Sequence, residues 1–446
     1  MLKRLDLRGA GSDDRYAQLR RRLPRPAAQP EPAVEEVRTV LEEVRRDGDA
    51  ALRRLTERYD GVWLDDLHVP AEEIASALET IPPSLRSAIE ASQRNIAAYH
   101  RTQLGDEVVH RNAGMTIREL IRPVDRAGCY VPSAQAPLVS TALMTAVPAK
   151  VAGVREVVLA TAPQPDGTVA PGILAAAASA GVEEVVRVGG PAAIAAFAYG
   201  TETIRRVDVI VGPGSARVAQ AKREVANQGL VGVPSAFAGP SEVVVVADAS
   251  TPAKHAAIDL LVQAEHGPDG LAWLITWDGE VADRVATAVD ELVPVSPRRT
   301  QLEATLADGG YAVLCDGPGQ AMAVANAIAP EHLELLVEDA DALLPLVRHA
   351  GAVFCGPTTP ASVGDYIAGP NHVLPTAGTA RFADALGVDD FTKRVHVIAV
   401  DDLQEVADHV VTLATYEGLP AHAASIRLRQ DGAPEDTTPA GSWRPR

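Results

Sequence analysis

The sequence predicts an α/β fold of two lobes, each a parallel sheet wrapped by helices. Three observations point there. From Val124 onward, short β-branched runs alternate with Ala-rich helical stretches, the pattern of parallel strands joined by crossover helices. The series runs twice, once over 154–227 and again over 242–355. And 446 residues exceed what one compact core holds, so two or more domains are expected.

The amino-terminal residues 1–25 read as a charged extension leading into a Pro/Ala-rich hinge that reaches Pro32. Val34, Val37, Val40, Leu41 and Val44 recur at helical spacing and predict a helix over 33–59, with a second over 83–99. In the first α/β series, strands are expected at 154–161, 184–188 and 207–211, with helices at 172–181, 191–199 and 216–227. In the second, strands at 242–247, 271–276, 312–315 and 353–355 alternate with helices at 252–265, 280–292, 320–328 and 343–349. Helices at 403–415 and 421–429 follow, then a polar, frayed tail over 431–446. The expected organisation is two Rossmann-like lobes with small helical extensions at both ends. Residues 26–133 and 243–385 form the main lobe, 134–242 an inserted lobe, and 386–430 a helical tail. Ligands of such sheets gather at the carboxyl ends of the strands.

Composition excludes some functions. Lys plus Arg is 41 against 59 Asp plus Glu, a formal charge of −18. A chain this acidic is a poor general binder of nucleic acid or anionic membrane. Three cysteines without paired spacing, Cys129, Cys315 and Cys355, fit a reducing compartment and read as buried structural thiols. No signal peptide and no transmembrane run is read, so a cytoplasmic location is expected.

Several clusters can carry chemistry. Gln263 and His266 are three apart at a predicted helix end, so they share a face. Together they form half a metal site or, equally, a solvated helix terminus. Glu331 and His332 follow Pro330 and read as a helix start, where both could serve as acid and base. Asp365 lies in a long Pro/Thr/Gly-rich loop with Asn371 and His372, either as a ligand or as a turn former. His422 falls in the first turn of a helix opened by Pro420, a setting that favours neutral imidazole. Gly189-Gly190 and Gly212-Pro213-Gly214 join strands to helices, geometry that suits a phosphate or a tight turn; neither is a GxGxxG fingerprint.

The order of these clusters is more specific than any one of them. The segments CYVP, PAKVAGV, VGG, AYGTE, GPG, AKR, AGPSEV, QAEHG, PEHLE, GDY, NHVLPT and LPAH, from about Arg122 to Arg429, resemble the histidinol dehydrogenase family. That resemblance implies oxidation of L-histidinol to L-histidine with two NAD and one Zn2+ per subunit. It implies zinc ligands Gln263, His266, Asp365 and His422, and Glu331 and His332 as the acid–base pair. Substrate contacts would come from Ser241, Glu417 and His332 together with the ligand residues. It further implies a homodimer whose exchanged tails bring Glu417 and His422 into the neighbour's site.

The cofactor side departs from the family pattern. Tyr130 is kept, but Ser133-Ala134 stand where the family has Gly-Gly, Ala192 replaces a Gln, and Ser215 replaces an Asn. Losing two side-chain hydrogen bonds would weaken NAD binding by about 1–3 kcal/mol. Two further readings are a paralogue that oxidises another amino alcohol or polyol, and a non-redox zinc protein, either hydrolase or binding module.

Overall fold

The computed structural model describes residues 1–9, 19, 21–24, 34–132, 136–234, 239, 241–265, 267 and 269–430. Its strands are β1 (Lys3–Asp6), β2 (Val108–Asn112), β3 (Met115–Pro123), β4 (Arg126–Tyr130), β5 (Glu156–Ala160), β6 (Glu184–Val186), β7 (Val209–Val211), β8 (Glu242–Ala247), β9 (Leu271–Thr276), β10 (Gly310–Leu314), β11 (His332–Leu336), β12 (Ala352–Cys355) and β13 (Thr392–Val400).

One compact unit holds Met1–Leu104 and Pro123–Phe391, and it contains two parallel sheets. The larger runs β1-β10-β9-β8-β11-β12. The run EVVVVA of β8 is apolar on both sides because both faces of the sheet are covered. Val243, Val245 and Ala247 pack with the helices Ala253–Ala264 and Gly279–Leu292. Val244 and Val246 pack on the other face with the helix Pro318–Ile328. The smaller sheet runs β6-β5-β4-β7, also parallel. The helices Ala71–Thr80, Pro83–Arg101, Val139–Val151 and Pro171–Ser179 share one core with it. The helices Val34–Asp60, Gly190–Tyr199 and Ala216–Asn227 share the other.

The α/β architecture matches the expected class, and several elements differ in detail. Residues Lys3–Asp6, expected in a loose extension, form an edge strand of the larger sheet. The segment expected in the main lobe over 26–133 supplies β4 to the smaller sheet. Its apolar stripe, Val37, Val40, Leu41 and Val44, is buried with Ile194 and Phe197. The helix Val34–Asp60 is kinked at Gly48, which has φ 54°. A Cβ there would lie 2.1 Å from the Glu202 carboxylate, which accepts from the Asp49 N–H at 2.7 Å, so glycine allows the close approach. The helix expected at 343–349 is a single 3-10 turn, Leu344–Leu346, because Pro345 cannot continue an α-helical ladder.

The second unit combines Gly105–Arg122 with Thr392–Arg446. A sheet ordered β13-β3-β2 contains the antiparallel hairpin β2–β3. Ala113 and Gly114 turn that hairpin with φ 48° and 70°, the positive pair a tight hairpin needs. The helices Ala407–Tyr416 and Pro420–Gln430 pack together, and Ala414 and Ala423 are buried in them. No helix among the described residues is long and apolar enough to cross a membrane.

Candidate functional site

Three ionisable groups meet at the amino edge of the larger sheet. Glu242 opens β8, and His332 opens the neighbouring β11 directly after Glu331. This is the opposite edge from the carboxyl ends where a ligand was expected. The Glu331–His332 segment also begins a strand rather than a helix. Its residues alternate: Leu333 and Leu335 join one core while Leu336 joins the other, the period of two that defines a strand.

The His332 imidazole is buried between carboxylates. Its Nδ1 lies 3.2 Å from the Glu242 carbonyl and 3.6 Å from Glu331 Oε2, and Nε2 lies 3.4 Å from Asp365 Oδ1. A carbonyl accepts only, so Nδ1 carries the proton in that contact and Nε2 faces Asp365. The ring stacks on Phe354 with centroids 5.9 Å apart. Burial depresses the imidazole's pKa, but the Glu331 charge and the nearby Asp365 carboxylate outweigh it and carry it up to about 10. Glu331 Oε2 accepts from the Glu242 N–H at 3.0 Å. Burial, helped by the Glu331 charge, pushes the Glu242 carboxyl up to about 8.

Asp365 sits in a short helix, Ala361–Tyr366, not in the open loop expected. The Ala361 N–H donates to Glu334 Oε1 at 3.3 Å, which fixes the start of that helix to β11. Beyond it, Ser92 Oγ donates to the Tyr366 carbonyl at 2.6 Å, and Asn95 Nδ2 to the Ile367 carbonyl at 2.8 Å. His372 Nδ1 contacts the Asp365 carbonyl at 2.9 Å, and Asn371 Nδ2 donates to the Met144 carbonyl at 2.6 Å. Asn371 and His372 thus brace the loop.

Gln263 stands near the end of the helix Ala253–Ala264, which packs against the helix bearing Asp365. It is 1% exposed, yet neither atom of its amide has a hydrogen-bond partner among the described residues. An orphaned buried amide costs about 1–3 kcal/mol, a cost that a ligand for the carbonyl oxygen would offset. His266 lies outside the described residues. Among the described residues, no three His, Cys, Asp or Glu side chains converge as a metal cluster. The donors present, an amide oxygen and a carboxylate, are a type that a divalent ion accepts. Ser241 is half-buried just before β8, and its carbonyl accepts from the Leu271 N–H at 3.0 Å. Glu417 caps the helix Ala407–Tyr416 and His422 lies in the first turn of Pro420–Gln430; both are exposed residues of the second unit.

The smaller sheet presents its carboxyl edge. Tyr130 ends β4, and its buried hydroxyl accepts from the Gly190 N–H at 3.1 Å. A Cβ on Gly212, at φ 105°, would lie 2.1 Å from the Tyr130 carbonyl oxygen, so this turn admits only glycine. Lys222 is buried, and its ammonium donates to the Gly212 carbonyl; burial pushes its pKa down to about 8. Ser215 caps the helix Ala216–Asn227, its Oγ accepting from the Val218 N–H at 3.4 Å. Ala192 is buried in the core that also holds Tyr130. Ser133 and Ala134 lie outside the described residues.

A family model described as histidinol dehydrogenase matches residues 23–430. The chain belongs to the histidinol dehydrogenase family. A histidinol dehydrogenase of Synechococcus sp. is 49% identical, covering 88% of this chain and 91% of that protein. A "Histidinol dehydrogenase 2" of Trichormus variabilis is 46% identical over 89% of this chain and 92% of its own length. The crystal structure of histidinol dehydrogenase from Elizabethkingia anophelis superposes with a TM-score of 0.90 at 32% identity, covering 96% and 98% of the two chains.

Within this family member, the larger sheet brings Glu331, His332 and Asp365 together, with Ser241 and Gln263 on elements that adjoin them. Sequence reading missed Glu242. Its signal was a carboxylate opening the otherwise apolar run EVVVVA, a position that burial makes costly without a purpose. It also missed Lys222, visible only as the middle of AKR on an amphipathic helix. The thiols of Cys129 and Cys315 are buried and Cys355 is half-buried; burial pushes Cys129 up to about 12, far from thiolate reactivity.

Proposed function

We propose that this family member oxidises L-histidinol through L-histidinal to L-histidine, using two NAD and one Zn2+ per subunit, in the cytoplasm. The observation that carries the proposal is the buried, unpartnered Gln263 amide, on a helix packed against the one bearing Asp365. Gln263, His266 and Asp365 would hold the metal, with His422 as the fourth ligand. The exposed positions of Glu417 and His422 in the second unit suit a tail exchanged between two copies. Bound zinc would supply a Lewis-acidic anchor for the imidazole and amine of histidinol.

The chain's own residues do the proton work. His332 takes the alcohol proton on Nε2 during the first oxidation. A cation held by Asp365 would weaken that carboxylate's pull on the imidazole, one of the two influences that raise its pKa, and so favour the base form. Glu331 takes a proton from the water that adds to the aldehyde. As that water adds, His332 returns its proton to the carbonyl oxygen to complete the hydrate, and it is then free to accept a hydroxyl proton of the hydrate during the second oxidation. Ser241 and Glu417 would contact the substrate. Tyr130, Ala192 and Ser215 border the expected nicotinamide nucleotide site. With an apolar methyl at Ala192 and a Ser215 hydroxyl engaged as a cap, the NAD KM is expected to be raised. The test is growth: expression in a bacterium lacking histidinol dehydrogenase should restore growth without histidine, and the His332→Asn chain should not. Failure of the native chain, expressed in folded form, would sink the assignment.

A further inference from the structure

Behind the site lies a second pair of carboxyls that the chemistry above does not use. Glu334 on β11 is fully buried and Asp259 on the helix Ala253–Ala264 is 5% exposed. Their side chains are within hydrogen-bonding reach of each other. Glu334 Oε1 accepts from the Ala361 N–H, while Oε2 has no other donor among the described residues. Two acceptors in contact, both out of water, do not both ionise. No third His, Cys, Asp or Glu among the described residues completes a metal site there. A proton is what the pair lacks.

We propose that Asp259 and Glu334 share a single proton and act as a positioning pair that sets Gln263 opposite His332 and anchors the helix of Asp365. The register supports this. Asp259 precedes Gln263 by one helical turn, about 6 Å along the axis. His332 precedes Glu334 by two strand residues, about 6.6 Å. The helix follows β8 and returns antiparallel to the sheet, so both steps lead the same way, toward the amino edge. A contact at Asp259–Glu334 therefore places Gln263 across from His332. The Ala361 N–H fixes the third element, with Asp365 one turn further on. With one proton the pair carries a single negative charge. His255, on Asp259's own helix, and His332, on Glu334's strand, are the basic groups that face it. Burial pushes both carboxyls up, Glu334 to about 9.

The proposal deepens the zinc-site reading, and its first test does not depend on that reading. Folding of the metal-free full chain is followed in urea between about pH 6 and 8, with no substrate or NAD. A carboxyl raised in the folded state keeps its proton while the unfolded chain has lost it. Stability from the pair is therefore present at acid pH and lost as pH rises toward about 9, the pair contributing about a tenfold fall in folding constant per pH unit beside the contributions of Glu242 and His332. Glu334→Gln and Asp259→Asn should each remove that one-proton slope. An unchanged slope in both variants overturns the shared proton. The second test is zinc release to a chelator. Glu334→Ala should release zinc about tenfold or more faster, as loss of a supporting partner does. Glu334→Gln, which still donates to Asp259, should stay close to the native rate. Equal release from both variants overturns the positioning role while leaving the zinc site itself standing; if Glu334→Ala does not fold, Asp259→Ala against Asp259→Asn gives the same comparison.

Discussion

At the amino edge of the larger sheet, Glu242, Glu331 and His332 are buried side chains, and the Gln263 amide on the helix packed against β8 has no partner among the described residues. At the carboxyl edge of the smaller sheet, the chain offers backbone: the turns at Gly189-Gly190 and Gly212–Gly214, with Tyr130 and Lys222 already engaged by Gly190 and Gly212. One edge stores unsatisfied polar capacity and the other has spent it on its own shape. The first edge is thus specific about chemistry and the second about geometry. Side-chain substitutions should therefore be severe at the first. At the second, changes that alter backbone shape should outweigh the loss of a side chain.

The largest effect should come from His332→Asn. Removal of the base is expected to lower kcat with L-histidinol by about 10³-fold, while zinc content by metal analysis stays at the native level. Gln263→Leu should split stability from function. The metal-free variant should be more stable than the native chain by about 1 kcal/mol in urea unfolding, because a buried amide without partners is removed. Its zinc affinity should fall at least about 100-fold, the upper end of what loss of a mere supporting partner costs. If instead the variant is destabilised, the amide has a partner within the protein and the comparison between the two edges breaks. At the other edge, Gly212→Ala drives a methyl into the Tyr130 carbonyl and should cost about 2 kcal/mol of stability and raise the NAD KM. The smallest change is at Ser215. Ala there should cost about 1 kcal/mol through the lost helix cap, whereas Asn should keep the cap and lower the NAD KM a few-fold.

Much of the fold was legible because apolar runs such as EVVVVA and LAWLIT, separated by Ala-rich helices, have one reading. The edge of the sheet that carries the site did not. Pro330-Glu331 imitates a helix start, and the alternation of Leu333, Leu335 and Val337 that marks a strand emerges only over five residues. The strand Lys3–Asp6 was invisible because its partner, β10, lies at the far end of the unit's sequence. Gln263 was plausible from its spacing with His266, but the fact that marks it, a buried amide with no partner among the described residues, depends on three-dimensional surroundings. Asp365 and His422 were open candidates from their settings and became ligands only through family resemblance, which also brought in Glu417. Asp259 and Glu334 are distant in the chain, and only the packing of a helix on β11 makes them one group. Ser215 shows the reverse: a serine before a helix is a cap signal on its face, and the cap is formed.

We propose the ionisable edge of the larger sheet as a zinc-dependent site for the four-electron oxidation of L-histidinol. The most direct measurement is NADH formed per L-histidinol consumed by the zinc-loaded protein, before and after chelation. The account predicts two NADH per L-histidinol with L-histidine as product, abolished by chelation and restored by zinc. A folded, zinc-replete protein that forms no NADH from L-histidinol, or one NADH with the aldehyde as final product, would contradict it.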